Sequence, residues 1–178
     1  RKHISEVLVV LHAVITEIAT QHVLGLMQQD LHLKNFLITE KEVFNDVERV
    51  SHEHVQVYSL DGGEIISTGN ILDKKESMQN LALFLSQLGA GVESYQLLLF
   101  RYYAKQRGWL IKQKDNIELL RAIKKIYEER WLSYQKKIMR NSTGFARMSS
   151  FTKVAMYDRH YAKLELMRFL EHPDLLFS

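Results

Sequence analysis

Three oxygen-bearing side chains stand out by type and spacing: Asp30, Asn35 five residues later, and Asp61 at the end of the second of two apolar runs. Phosphoryl transfer asks little covalent chemistry of a protein. It needs an acceptor hydroxyl held in line, a group to take its proton, and magnesium bridging the nucleotide phosphates. Magnesium takes hard oxygens, so one carboxylate and one amide oxygen suffice beside water and phosphate. In that chemistry Asp30 is the base, and Asn35 and Asp61 are the metal ligands. An acid and an amide five residues apart say little by themselves, because Asp and Asn populate loops for turn formation alone. Their force comes from the elements around them.

Ile4, Val7, Leu8, Leu11, Val14, Ile15, Ile18 and Val23 recur at spacings of three and four, which predicts a long buried helix over 4–26. Gly25 breaks the pattern, and a polar loop over 27–35 leads into Phe36-Leu37-Ile38. The alternation of Val55–Leu60 predicts a second strand. The simplest arrangement is a hairpin, with Asp30 to Asn35 entering it and Asp61 leaving it. Helices are expected over 78–88, 94–106 and 117–140, with glycines 89, 91 and 108 as stops. The third places Leu120, Ile123, Ile126, Tyr127, Trp131, Tyr134 and Ile138 on one face that reads as core. Trp109 and Trp131 are read as core packing in preference to cofactor stacking. A last helix is expected over about 159–170, before His172-Pro173.

The composition bounds the answer. A chain of 178 residues, 46% hydrophobic and 25% charged, is expected to fold as a single domain over 1–178. With no cysteine there is no disulfide framework, iron–sulfur cluster, thiolate zinc site or catalytic thiol. Eight glycines and one proline favour helices over a many-turned β-sandwich. The apolar stretch around Val7 to Ile15 is interrupted by His12 and reads as a core helix, short of the roughly 20 apolar residues of a spanning segment. Residues 1–100 carry 7 Lys+Arg against 13 Asp+Glu, and residues 101–178 carry 17 against 8. That basic second half suits phosphates, carboxylates or anionic lipid as partners. No recognised nucleic-acid motif accompanies it, and no nucleic acid is expected.

Further candidates surround the triad. His32 either orients the loop or approaches substrate, and Lys34 either neutralises a γ-phosphate or is a solvated loop lysine. Arg140 and Arg147 could grip an acceptor phosphate or carboxylate in a fork. His52 and His54 flank Glu53, but alternate positions without a third ligand seldom hold zinc.

The segment Asp30-Leu31-His32-Leu33-Lys34-Asn35-Phe36-Leu37-Ile38 resembles the D-L-H-x-x-N catalytic loop of kinase-like small-molecule phosphotransferases, and Leu60-Asp61-Gly62-Gly63 is similar to their metal-binding segment. Together with Asn80–Leu85 and Lys137–Phe145, in order along most of the chain, these segments resemble the Kdo/heptose lipopolysaccharide kinases of Gram-negative bacteria. Two positions depart from that pattern. Gln28-Gln29 stands where the family has His-Arg or His-Gly, and Gly62-Gly63 stands in place of Phe-Gly.

The resemblance implies a mainly α fold with a small β-hairpin, the C-terminal lobe of a protein-kinase-like architecture, with the N-terminal lobe absent from this chain. It implies ATP and Mg²⁺ as cofactors and a lipid A-linked Kdo or heptose as acceptor. The enzyme would work peripherally, at the cytoplasmic side of the inner membrane. Residue by residue, it assigns Asp30 as base, Asn35 as a metal ligand through its side-chain oxygen, and Asp61 as the principal metal ligand. The catalytic loop does not identify its acceptor, so a phosphotransferase for an aminoglycoside- or choline-type alcohol stays open, as does a non-catalytic pseudokinase. With half of the nucleotide cleft missing, residues 1–178 alone are expected to transfer little phosphate. A phosphorylation assay comparing this chain with a longer one checks this, and equal rates would refute it.

Overall fold

The computed structural model describes residues 2–40, 55–60, 62–149 and 154–160; at 2–5, 40 and 149 it describes the backbone alone. The chain divides into two compact units, Arg1–Tyr127 and Glu128–Ser178. Among the described residues it is mainly helical, with three small two-stranded antiparallel sheets.

In the first unit, helix α1 (Lys2–Val23) buries Leu11, Val14, Ile15 and Ile18 and packs on helix α3 (Glu93–Gln106). Val7 and Val23 were expected in the same buried set but are exposed. Val23 falls off the face that the i, i+3, i+4 rule defines. The window Glu6–Val23 is long and apolar enough to cross a membrane by length and composition, a property the core helix of a soluble protein shares.

Strand β1 (Leu26–Gln28) follows at once and pairs with β4 (Ile65–Ser67), while β2 (Phe36–Glu40) pairs with β3 (Val55–Ser59) in the expected hairpin. The β1–β4 pair was not anticipated, because three-residue strands carry no readable alternation. Helix α2 (Lys74–Leu85) opens with a capping box, Asp73 accepting from the Glu76 amide and Glu76 accepting from the Asp73 amide. A 3-10 turn over Ser86–Leu88 extends it to the expected end. Helix α4 (Gln113–Ile138) begins where buried Asp115 accepts from Lys74 Nζ at 2.8 Å and from the Lys112 amide at 2.7 Å. The ammonium and that amide hold its carboxyl below the usual carboxylate range. The core of this unit is Val14, Ile15, Ile18, Leu31, Leu81, Phe84, Leu85, Leu99, Phe100 and Leu119, all fully buried. Trp109 packs against it, its ring edge-on to Tyr103 and under the Arg107 guanidinium at 4.7 Å.

The second unit contains the end of α4 and an antiparallel hairpin, β5 (Phe145–Ser149) with β6 (Val154–Asp158), which the sequence reading did not foresee. Two expectations need correction here. Trp131 and Tyr134 are exposed, not core. The last helix, expected over 159–170, does not begin at Arg159, which with His160 forms a turn closing β6; residues 161–170 lie outside the described residues.

Gly25 sets the exit from α1. It adopts φ +72°, and a Cβ there would stand 2.4 Å from the Asn70 carbonyl oxygen. Its own carbonyl accepts from the Thr68 amide at 2.8 Å. Gly25→Ala is expected to destabilise the fold by about 2–4 kcal/mol, combining the left-handed penalty with a backbone clash. Gly69→Ala, at φ +71° but facing open space, is expected to cost only about 1–2 kcal/mol. Urea unfolding of both variants checks this, and equal losses would show that the close approach to Asn70 is immaterial.

Candidate functional site

The loop that carries the candidate residues is short, and its backbone bonds account for its shape. Leu31 is fully buried and anchors it, while its neighbour Asp30 is exposed. Residues Leu33–Asn35 form one 3-10 turn, capped by His32, whose Nδ1 accepts from the Lys34 amide at 3.3 Å. Asn35 Nδ2 donates to the Asp30 carbonyl at 2.8 Å, closing the loop on itself. That bond fixes which end of the amide is the nitrogen and leaves Oδ1 as the remaining acceptor. Phe36 then enters β2 with its ring buried edge-on against Phe84.

The next segment is tied to both ends of this loop. The Leu60 amide donates to the Asn35 carbonyl at 2.9 Å, and the Gln29 amide donates to the Glu64 carbonyl at 2.9 Å. Leu60, just before Asp61, is therefore bonded to Asn35, and Glu64, three residues after Asp61, to Gln29, the residue before Asp30. Asp61 itself lies outside the described residues, as do His52 and His54. Among the described residues no group of three or more His, Asp or Glu could hold a metal ion. An amide oxygen and a carboxylate, which Asn35 and Asp61 would offer, are of the hard-oxygen kind that suits magnesium.

Residues that the sequence reading passed over brace the loop from below. Gln87, in the 3-10 turn after α2, accepts from the Leu33 amide at 2.9 Å and donates to the Leu31 carbonyl at 2.7 Å. Asn80, buried on α2, donates through Nδ2 to the Gln28 carbonyl at 2.8 Å. Its Oδ1 meets His22 Nε2 at 3.0 Å, and His22 Nδ1 meets Tyr103 Oη at 2.7 Å. Arg107 donates to Tyr103 Oη at 2.7 Å and to Ser77 Oγ at 3.0 Å. Because Asn80 uses its amino group on Gln28, its oxygen must accept, so His22 carries its proton on Nε2 and accepts from the Tyr103 hydroxyl. Donors then run one way, from Arg107 through Tyr103, His22 and Asn80 to the Gln28 carbonyl. The brace reaches Gln28 through its backbone, which any residue type supplies. The Gln28 side chain is buried with neither amide atom paired among the described residues.

His32 serves as a turn cap, and Lys34 is exposed. Arg140 and Arg147 belong to the second unit: Arg140 Nε donates to the Lys136 carbonyl at 3.1 Å, and the Arg147 amide donates to Asn141 Oδ1 at 2.7 Å. A cavity of about 590 Å³ opens between the starts of α2 and α4, lined by Lys74, Lys75, Lys112 and Lys114 among others. None of the candidate residues lines it. Comparison of the chain with protein-family models, with curated proteins and with solved structures gives no match in any of the three.

Burial, opposed by the Asn80 hydrogen bond and aided by the Arg107 charge, lowers the His22 pKa from 6.5 to about 4. The folded chain therefore refuses a proton that the unfolded chain takes. Stability is complete above pH 6.5 and declines as pH falls toward 4, by roughly 3 kcal/mol in all. Asp115, whose pKa is depressed below 3.8, loses its contribution only at lower pH. His22→Gln is expected to flatten the slope between pH 6.5 and 4.5 in urea unfolding, and an unchanged slope in that variant would remove His22 as its source.

Proposed function

We propose that the chain is the catalytic-loop lobe of a kinase-like phosphotransferase that passes phosphate from ATP to an alcohol. The preferred acceptor is a Kdo or heptose of lipid A-linked saccharide, met at the cytoplasmic face of the inner membrane. The observation that carries this reading is the double tether: Leu60 on Asn35 and Gln29 on Glu64, with Asn35 closed onto Asp30. It brings the segments that flank the second acid beside the loop that carries the first, which supports a single site for both.

In this scheme the acceptor oxygen attacks the γ-phosphorus as its proton passes to Asp30, and ADP leaves. Exposure of Asp30 suits it to meet a substrate hydroxyl. Asn35 Oδ1 and the Asp61 carboxylate would hold Mg²⁺, which neutralises charge on the nucleotide phosphates when bound. The acceptor choice rests on the resemblance of the loop and of Lys137–Phe145 to the lipopolysaccharide kinases. The basic second half of the chain suits an anionic saccharide.

The test is transfer of labelled γ-phosphate to Kdo- or heptose-terminated lipid A, set beside aminoglycoside and choline acceptors. In the longer chain, Asp30→Ala and Asp61→Asn are each expected to lower kcat by about 10²–10⁴-fold with circular dichroism unchanged. Undiminished rates would reject the site, and phosphate appearing only on an amino-cyclitol or choline would reject the acceptor.

A further inference from the structure

Between Glu129 and Asp158 the sequence holds no Asp or Glu, and the described residues of that stretch include the cations Lys136, Lys137, Arg140 and Arg147. Within the second unit, α4 is amphipathic over the same stretch. Tyr134, Ile138, Trp131, Met139 and Leu132 fall in an arc of about 160° at about 100° per residue. The Met139 amide, bonded to the Gln135 carbonyl at 3.0 Å, continues the helix through its last turn. Lys136 and Lys137 stand just outside the two edges of that arc, roughly 40° and 60° beyond it.

This apolar arc is largely uncovered: Trp131 is 49% exposed, Leu132 55%, Tyr134 45% and Met139 61%. The rings form one row, Trp131 against Tyr134 at 5.8 Å and Tyr134 edge-on to Phe145 at 6.1 Å. A contiguous exposed apolar face of this kind marks an interaction surface. Trp and Tyr favour the boundary where a polar tip stays wet while the ring leaves water. Lysines at the edges can lay their stems along the apolar face and keep their ammonium groups out.

We propose that this face seats on an anionic lipid surface. The helix lies in the plane of the interface, with Trp131 and Tyr134 at headgroup level and Lys136, Lys137 and Arg140 against lipid phosphates. Single-stranded nucleic acid could use the same rings and cations, but stacking has no use for the aliphatic area of Leu132 and Met139. A second copy of this helix on a two-fold axis about Tyr134 would set Glu128 and Glu129 against the turn that carries Lys136, Lys137 and Arg140, and is the rival occupant that the experiment below decides. None of this depends on the phosphotransfer reading.

The experiment uses the 178-residue chain with phosphatidylcholine vesicles, with and without phosphatidylglycerol, read by co-sedimentation and tryptophan fluorescence. Binding is expected only with phosphatidylglycerol present, weakening as salt is raised. The double variant Lys136→Glu/Lys137→Glu should bind about tenfold more weakly or worse. Trp131→Ser/Met139→Ser should return binding to background and abolish the blue shift. Asp30→Ala should bind as the unaltered chain does, so loss of transfer and loss of lipid binding are told apart. No binding to phosphatidylglycerol vesicles, undiminished binding by either double variant, capture by an oligonucleotide instead, or a dimer that Trp131→Ser dissolves would each overturn the proposal.

Discussion

A one-way chain of buried hydrogen bonds, from Arg107 through Tyr103, His22 and Asn80 to the Gln28 carbonyl, governs the geometry of the first unit. Polar groups in an apolar core are costly unless paired, roughly 1–3 kcal/mol for each one stranded. Every member of this chain has a partner only in one order. The order fixes a neutral His22, and a neutral imidazole is also what burial favours. α1, α2 and α3 each supply a link, so the three helices share one arrangement in which all donors are used. The free end of the chain terminates on Gln28, two residues before Asp30, so the network that orders the core also sets where the loop begins.

The loop is held almost entirely by amides. Gln87 grips its middle, Asn80 its approach and Asn35 its own start, and none of the three is charged. Neutral bracing has a physical consequence. A carboxylate or ammonium in those roles would set a formal charge beside the loop, whereas an amide orients the backbone and adds none. The only formal charges on the stretch from Asp30 to Asn35 are Asp30 and Lys34, both exposed.

The long elements were legible because period and length declare them. Leu11, Val14, Ile15 and Ile18 mark α1, and the Phe36–Ile38 and Val55–Leu60 runs mark the hairpin that carries the loop. The rest was hidden for identifiable reasons. β1 and β4 exist because Gly25 lets the chain pass against residues 68–70, a contact across more than forty residues that no local pattern encodes. His22 falls on the buried face of α1, four residues after Ile18, but its partners lie 58 and 81 residues away. Gln87 looks like any polar residue at a helix end. Asp30 and Asn35 stand out in the sequence because their spacing is local, and the bond from the Asn35 side chain to the Asp30 carbonyl closes within five residues.

The misreading of Trp131 and Tyr134 exposes the limit of periodicity as a guide. Along α4 the apolar stripe runs unbroken from Leu119 to Ile138, and the repeat is as regular at its end as at its start. Leu119 and Ile123 are buried in the first unit, yet Trp131 and Tyr134 on the same stripe face water. Period defines a face that gains by leaving water; it does not say what receives it. Charge supplies the missing term. Around Leu119 and Ile123 the helix carries Asp115 and Glu118 among its lysines, whereas after Glu128 and Glu129 its last turns carry Lys136 and Lys137 and no acid. A stripe that continues past the core after its acids have ended suits, on the proposal above, a surface that is itself apolar and negative.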